Sequence, residues 1–132
     1  MSEQILDMSA EKIAEGVGSR KLSASEVASA FIKRIEEVNP VINAICTLSD
    51  TILEEARAID ERLASGGKPR PLEGVPFLIK DILQTKGVRT TFGSLLLEND
   101  VPDEDTISVE RLKAAGGILL GKTNTPEFAH DI

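Results

Sequence analysis

Two short runs, Val75-Pro-Phe-Leu-Ile79 and Ile118-Leu119-Leu120, carry no polar side chain. Runs of that length and composition fit strands covered on both faces of a sheet. They alternate with segments of helical periodicity that have their own start and stop residues. Ser9 caps a first helix with Ile13, Ala14 and Val17 on its apolar side, ended by Gly16 and Gly18. Ser23, with Glu26 three residues on, forms a capping-box pattern, and Val27, Phe31, Ile35 and Val38 follow until Asn39-Pro40. A third helix starts near Asp50 or Thr51, carries Ile52, Ala56, Ile59 and Leu63 on one stripe, and closes at Gly66-Gly67. A fourth starts at Asp105 and buries Val109, Leu112 and Ala115 before Gly116-Gly117. Alternation over Val41–Leu48 predicts another strand, with Ile42, Ala44, Cys46 and Leu48 on one face. Helix and strand interleave, so the class is α/β or α+β.

The chain has 132 residues, enough for one domain. The pattern divides it into a mainly helical part (1–65), a polar connector (66–71) and a strand-bearing part (72–132). Three or four strands leave few neighbours for the buried ones, and Thr123–Ala129 opens a new element just before the chain stops, so the end reads as unfinished.

Charge narrows the function. The net charge of −7 repels phosphate backbones, and with no Trp or Tyr there is no base-stacking platform, so nucleic acid is not an expected partner. A single cysteine, Cys46, and a single histidine, His130, exclude an internal disulfide and a His-rich metal cage. No apolar run has the length of a membrane span or signal-peptide core, and the expected location is cytoplasmic.

Gly116-x-x-x-x-Gly121-Lys122-Thr123 matches the phosphate-loop template. Its middle is a buried-strand run preceded by a helix, the reverse of strand–loop–helix, so nucleotide binding is rejected. Asp103-Glu104-Asp105 reads as acids stabilised at a helix N-terminus. Cys46, on the apolar side of its strand, reads as a small core residue. For His130 no partner is evident.

In Pro71-Leu-Glu-Gly-Val-Pro-Phe-Leu-Ile-Lys80-Asp81 a lysine follows directly on a buried run. It is either a surface residue at a strand end or an amine held in a desolvated pocket, where its neutral form serves as a base. The wider pattern bears on the choice. Leu72-Glu-Gly-Val-Pro…Lys80-Asp81, Thr90-Thr91-x-Gly93-Ser94, Arg111-Leu-x-Ala-Ala-Gly116 and Gly121-Lys-Thr-Asn-x-Pro-Glu-Phe-Ala129 resemble, in order and spacing, consecutive blocks of the amidase signature family.

The resemblance implies an α/β fold, with N-terminal helices and part of a mixed β-sheet core. It implies amide C–N hydrolysis of a small-molecule substrate by a serine nucleophile, a bridging serine in a cis peptide and a lysine, without a cofactor or metal. Lys80 falls on that lysine. Both serines belong to later blocks of the family that this sequence does not contain, and Ser94 is neither of them. The expectation is an N-terminal amidase segment carrying the base and inactive alone. Thr-Thr-Phe-Gly-Ser and Asn-Thr-Pro-Glu-Phe lean toward a stand-alone amidase rather than the A subunit of a tRNA-dependent amidotransferase. The rival reading is a non-catalytic module whose open sheet edge is covered by a second copy or a complementary chain.

Overall fold

The computed structural model describes residues 2–130, with side chains from Gln4 onward. Five helices, α1 (Ser2–Leu6), α2 (Ala10–Gly18), α3 (Ala24–Ile42), α4 (Ile52–Ala64) and α5 (Ile107–Ala114), surround three strands. The strands β1 (Ile45–Leu48), β2 (Pro76–Lys80) and β3 (Ile118–Thr123) form one mixed sheet in the order β1-β3-β2. β2 and β3 are parallel, linked by a crossover through α5, while β1 lies antiparallel on the other side of β3. The α/β class is as expected.

β3 is the central strand, and its alternation serves two cores. Ile118 and Leu120 face α2, α3 and α4, where Ile13, Val17, Val27, Ala28, Ile52, Ala56, Ile59 and Leu63 are buried. Leu119 faces the opposite side, with Ile79, Val88 and Val109. β2 departs from expectation: it is a sheet edge, and Leu78 is 38% exposed.

Local chemistry explains most helix boundaries. Ser9 accepts from the backbone of Lys12, and Ser23 and Glu26 form the reciprocal capping box. Replacing Ser23 by alanine is expected to cost about 1 kcal/mol, read as a lower urea midpoint at unchanged slope. The stripe of α4 is buried at all four expected positions.

Three boundaries differ. α3 continues through Pro40 to Ile42, so Val41 and Ile42 are helical and exposed rather than part of a strand. Proline there removes one bond, to the carbonyl of Glu36, a residue exposed to solvent, so the loss costs little. The helix ends instead at Asn43, left-handed at φ 48°, while the Asn39 side chain bonds both the N–H and the carbonyl of Ile45. β1 is accordingly shorter, with Ile45 as its buried residue; Cys46 is only partly buried. α5 begins at Ile107, because Asp105 is occupied by the Lys86 N–H at 2.7 Å and the Lys113 ammonium at 3.0 Å. No sequence pattern marks α1.

Glu73 fixes the connection into β2. It is fully buried, and its carboxylate accepts from the Arg70 N–H and guanidinium at 2.8 Å each, and from Arg62. Burial pushes the carboxyl up, but the Arg70 and Arg62 hydrogen bonds outweigh it and hold the group below the usual glutamate range. Among the described residues no helix is long and apolar enough to cross a membrane.

Candidate active site

Because β2 and β3 are parallel, their carboxyl ends lie together: Lys80 pairs with Thr123. Ligands of open α/β sheets bind beyond such ends. Here the chain also gathers three of the blocks singled out from sequence. The Asp81 N–H donates to Thr123 O at 3.0 Å, and the Phe92 N–H donates to Asp81 O at 2.8 Å. Ser94 Oγ donates to Glu127 Oε1 at 2.6 Å, and the Phe128 N–H to Phe92 O at 2.7 Å. The Phe92 and Phe128 rings lie 6.4 Å apart. Ser94 is thus engaged in joining two loops.

Gly93 shows why that junction needs its sequence. Its φ is +68°, and a Cβ there would stand 2.6 Å from Thr125 O. Phe92, Phe128 and Ala129 also take left-handed φ values of 54°, 50° and 57°. Such conformations cost about 1–3 kcal/mol each for a residue with a side chain, and they concentrate where a fold holds a functional geometry.

The two lysines of the strand ends have opposite environments. Lys80 is exposed, and among the described residues its amine has no hydrogen bond or ion pair, while the next side chain, Asp81, is 1% exposed on the other side of the strand. Lys122 is fully buried, and its ammonium donates to Leu83 O and to Thr85 Oγ1 and Thr90 Oγ1 at 2.8 Å each. A β-bulge puts it there. Phe77 pairs with Leu119 and Leu78 with Gly121, so Leu120 is left over and Lys122 shares a face with Ile79. The dry amine of this sheet is therefore Lys122. The signal that marks Lys80, a lysine ending a buried run, is equally present in Ile118-Leu-Leu-Gly-Lys122, where it was masked by the phosphate-loop match.

Burial pushes the Lys122 ammonium down to about 8, against the pull of Asp81. Below that pH the group is charged in both folded and unfolded chains. Between about 8 and the ordinary 10.5 the folded chain has lost a proton that the unfolded chain keeps, so stability rises with pH across that window. The full rise is about 3 kcal/mol. Urea titrations at increasing pH are expected to show it as a growing stability difference between wild type and Lys122→Met; a flat difference contradicts it. All three donors of Lys122 are taken and no surface reaches it, so it holds the 83–90 loop and is not a base open to substrate.

Cys46 Sγ lies 3.5 Å from Lys122 O. Burial, then the Asp81 carboxylate, push its thiol up, which disfavours the thiolate and a nucleophilic role.

The amidase family model matches residues 26–132. The chain belongs to the amidase family. It is 47% identical, over 92% of its length, to the A subunit of the glutamyl-tRNA(Gln) amidotransferase of Bdellovibrio bacteriovorus, and covers 25% of that protein. It is 42% identical to an acylamidase of Rhodococcus erythropolis, over 98% of this chain and 28% of the relative. The solved peptide amidase of Stenotrophomonas maltophilia superposes with a TM-score of 0.86 at 30% identity, over 92% of this chain and 26% of that one. The chain thus spans about a quarter of the length of these amidase relatives.

Proposed function

We propose that this chain is the part of an amidase that supplies the general-base lysine, and that Lys80 is that residue. The observation that carries the reading is the convergence of Lys80-Asp81, Thr90–Ser94 and Asn124–Ala129 at the carboxyl ends of β2 and β3, with the Lys80 amine on the open side. In the reaction a serine hydroxyl adds to the amide carbonyl. Its proton passes through a bridging serine to the neutral Lys80 amine and then to the leaving nitrogen as the C–N bond breaks. Water releases the acyl group by the same route in reverse. The open face supplies no desolvation by itself. Polypeptide closing over Lys80 has to provide the dry surroundings that keep the amine neutral.

The substrate class is a small-molecule amide. Likeness to both an acylamidase and an amidotransferase component supports the general chemistry, while Thr-Thr-Phe-Gly-Ser and Asn-Thr-Pro-Glu-Phe favour a stand-alone hydrolase. Because the 132 residues include no Gly-Ser-Ser-Gly-Gly block, the chain by itself lacks anything for Lys80 to deprotonate. Incubated with an aryl amide, it is expected to release no arylamine above the buffer rate. Release that disappears in Lys80→Ala would contradict this.

A further inference from the structure

Beneath Lys80 the strand ends carry polar groups beside the Ile79–Leu119 core. Asp81, Thr85, Thr90, Thr91 and Lys122 are all buried between the strand ends and the loop that follows β2. Buried charged groups rarely stabilise more than apolar residues of the same volume. A fully bonded polar network does give a single, rigid arrangement.

Asp81 is held at four points. Its N–H donates to Thr123 O at 3.0 Å and its carbonyl accepts from the Phe92 N–H at 2.8 Å. Its carboxylate accepts from the Thr91 N–H at 3.1 Å and from the Thr91 hydroxyl. Lys122 ties the start of the same loop, at Leu83 and Thr85, to its later part at Thr90. Lys80 has no such anchor of its own among the described residues; it shares a peptide bond with Asp81 and points the opposite way.

We propose that Asp81 is the positioning residue of the Lys80 amine: its buried carboxylate, locked to Thr91, fixes the end of β2 and so the direction in which Lys80 leaves the sheet. This rests on the reading of Lys80 as the base. Asp81 itself touches no substrate. A misplacement of about 1 Å at a reacting group costs about 100-fold in rate, so loosening this clamp should appear in turnover rather than in substrate binding.

The test has two arms. In the 132-residue chain, backbone 15N relaxation at Lys80 is compared with Val27, in the opposite core, for wild type, Asp81→Asn and Thr91→Val, well below the unfolding temperature. The order parameter at Lys80 is expected to fall from about 0.85 toward about 0.6 in Asp81→Asn, and by less in Thr91→Val, with Val27 unchanged. Lys80 as rigid as before overturns the proposal, and Thr91→Val decides it should Asp81→Asn fail to fold. In an amidase-length polypeptide carrying this segment, Asp81→Asn is expected to lower kcat about 100-fold with KM nearly unchanged. Native kcat overturns the proposal. A Lys80→Ala control that retains activity overturns instead the base assignment beneath it.

Discussion

Gly121→Ala is expected to destabilise the chain by about 3 kcal/mol or more, beyond the usual range for an added methyl in a core. An alanine Cβ at this position would stand 2.2 Å from Thr47 O and 3.0 Å from Leu48 Cα. Those atoms are backbone of the paired strand, so no side-chain rotation relieves the clash. β1 and β3 would have to separate where Leu48 faces Gly121 and Thr47 faces Lys122. The damage would reach further than the ladder, because Arg89 is tied to Thr47 Oγ1 at 3.2 Å and carries the loop that Lys122 holds. The measurement is urea unfolding followed by circular dichroism. A midpoint equal to wild type would mean that the strands are not this close.

The glycine also shows where pattern reading succeeds and where it stops. Capping at Ser9 and Ser23 and the Ile52, Ala56, Ile59, Leu63 stripe were legible because each is decided within one or two helical turns. The end of α3 was not. Pro40 reads as a stop, but its missing N–H costs little at an exposed last turn, and the true stop is the left-handed Asn43 supported by the Asn39 side chain. The strand predicted over Val41–Leu48 forms only over Ile45–Leu48 for the same reason: the first four of its eight residues belong to that helix end and the turn after it.

Within the site, the blocks around Lys80, Gly93 and Glu127 were visible as sequence, whereas the contacts that join them are not. Ser94 meets Glu127 and Thr91 meets Asp81 only through the fold. In the structure Lys80 and Asp81 lie on opposite sides, as strand alternation requires. Alternation could not find the Leu120 bulge, since an unpaired residue is a property of the β2–β3 register and not of β3 alone. Without the bulge, Lys122 would share the face of Leu120; with it, the lysine drops into the Thr85–Thr90 pocket. Periodicity therefore identified the strand at Ile118–Leu120 and left the environment of the lysine that follows it open.

Lys80→Ala, made in an amidase-length polypeptide carrying this segment, decides whether this amine is the base. The side chain is exposed and makes no contact that the fold needs, so stability should stay within about 0.5 kcal/mol of wild type. Removing a general base acting in both acylation and deacylation should cost at least about 1,000-fold in kcat/KM, near the upper end of what such groups supply. Thermal melts and steady-state hydrolysis of one aryl amide, run on the same preparations, separate the two effects. The expected result is an unchanged melt with activity lost; an unchanged melt with near-native kcat/KM would remove Lys80 from the chemistry.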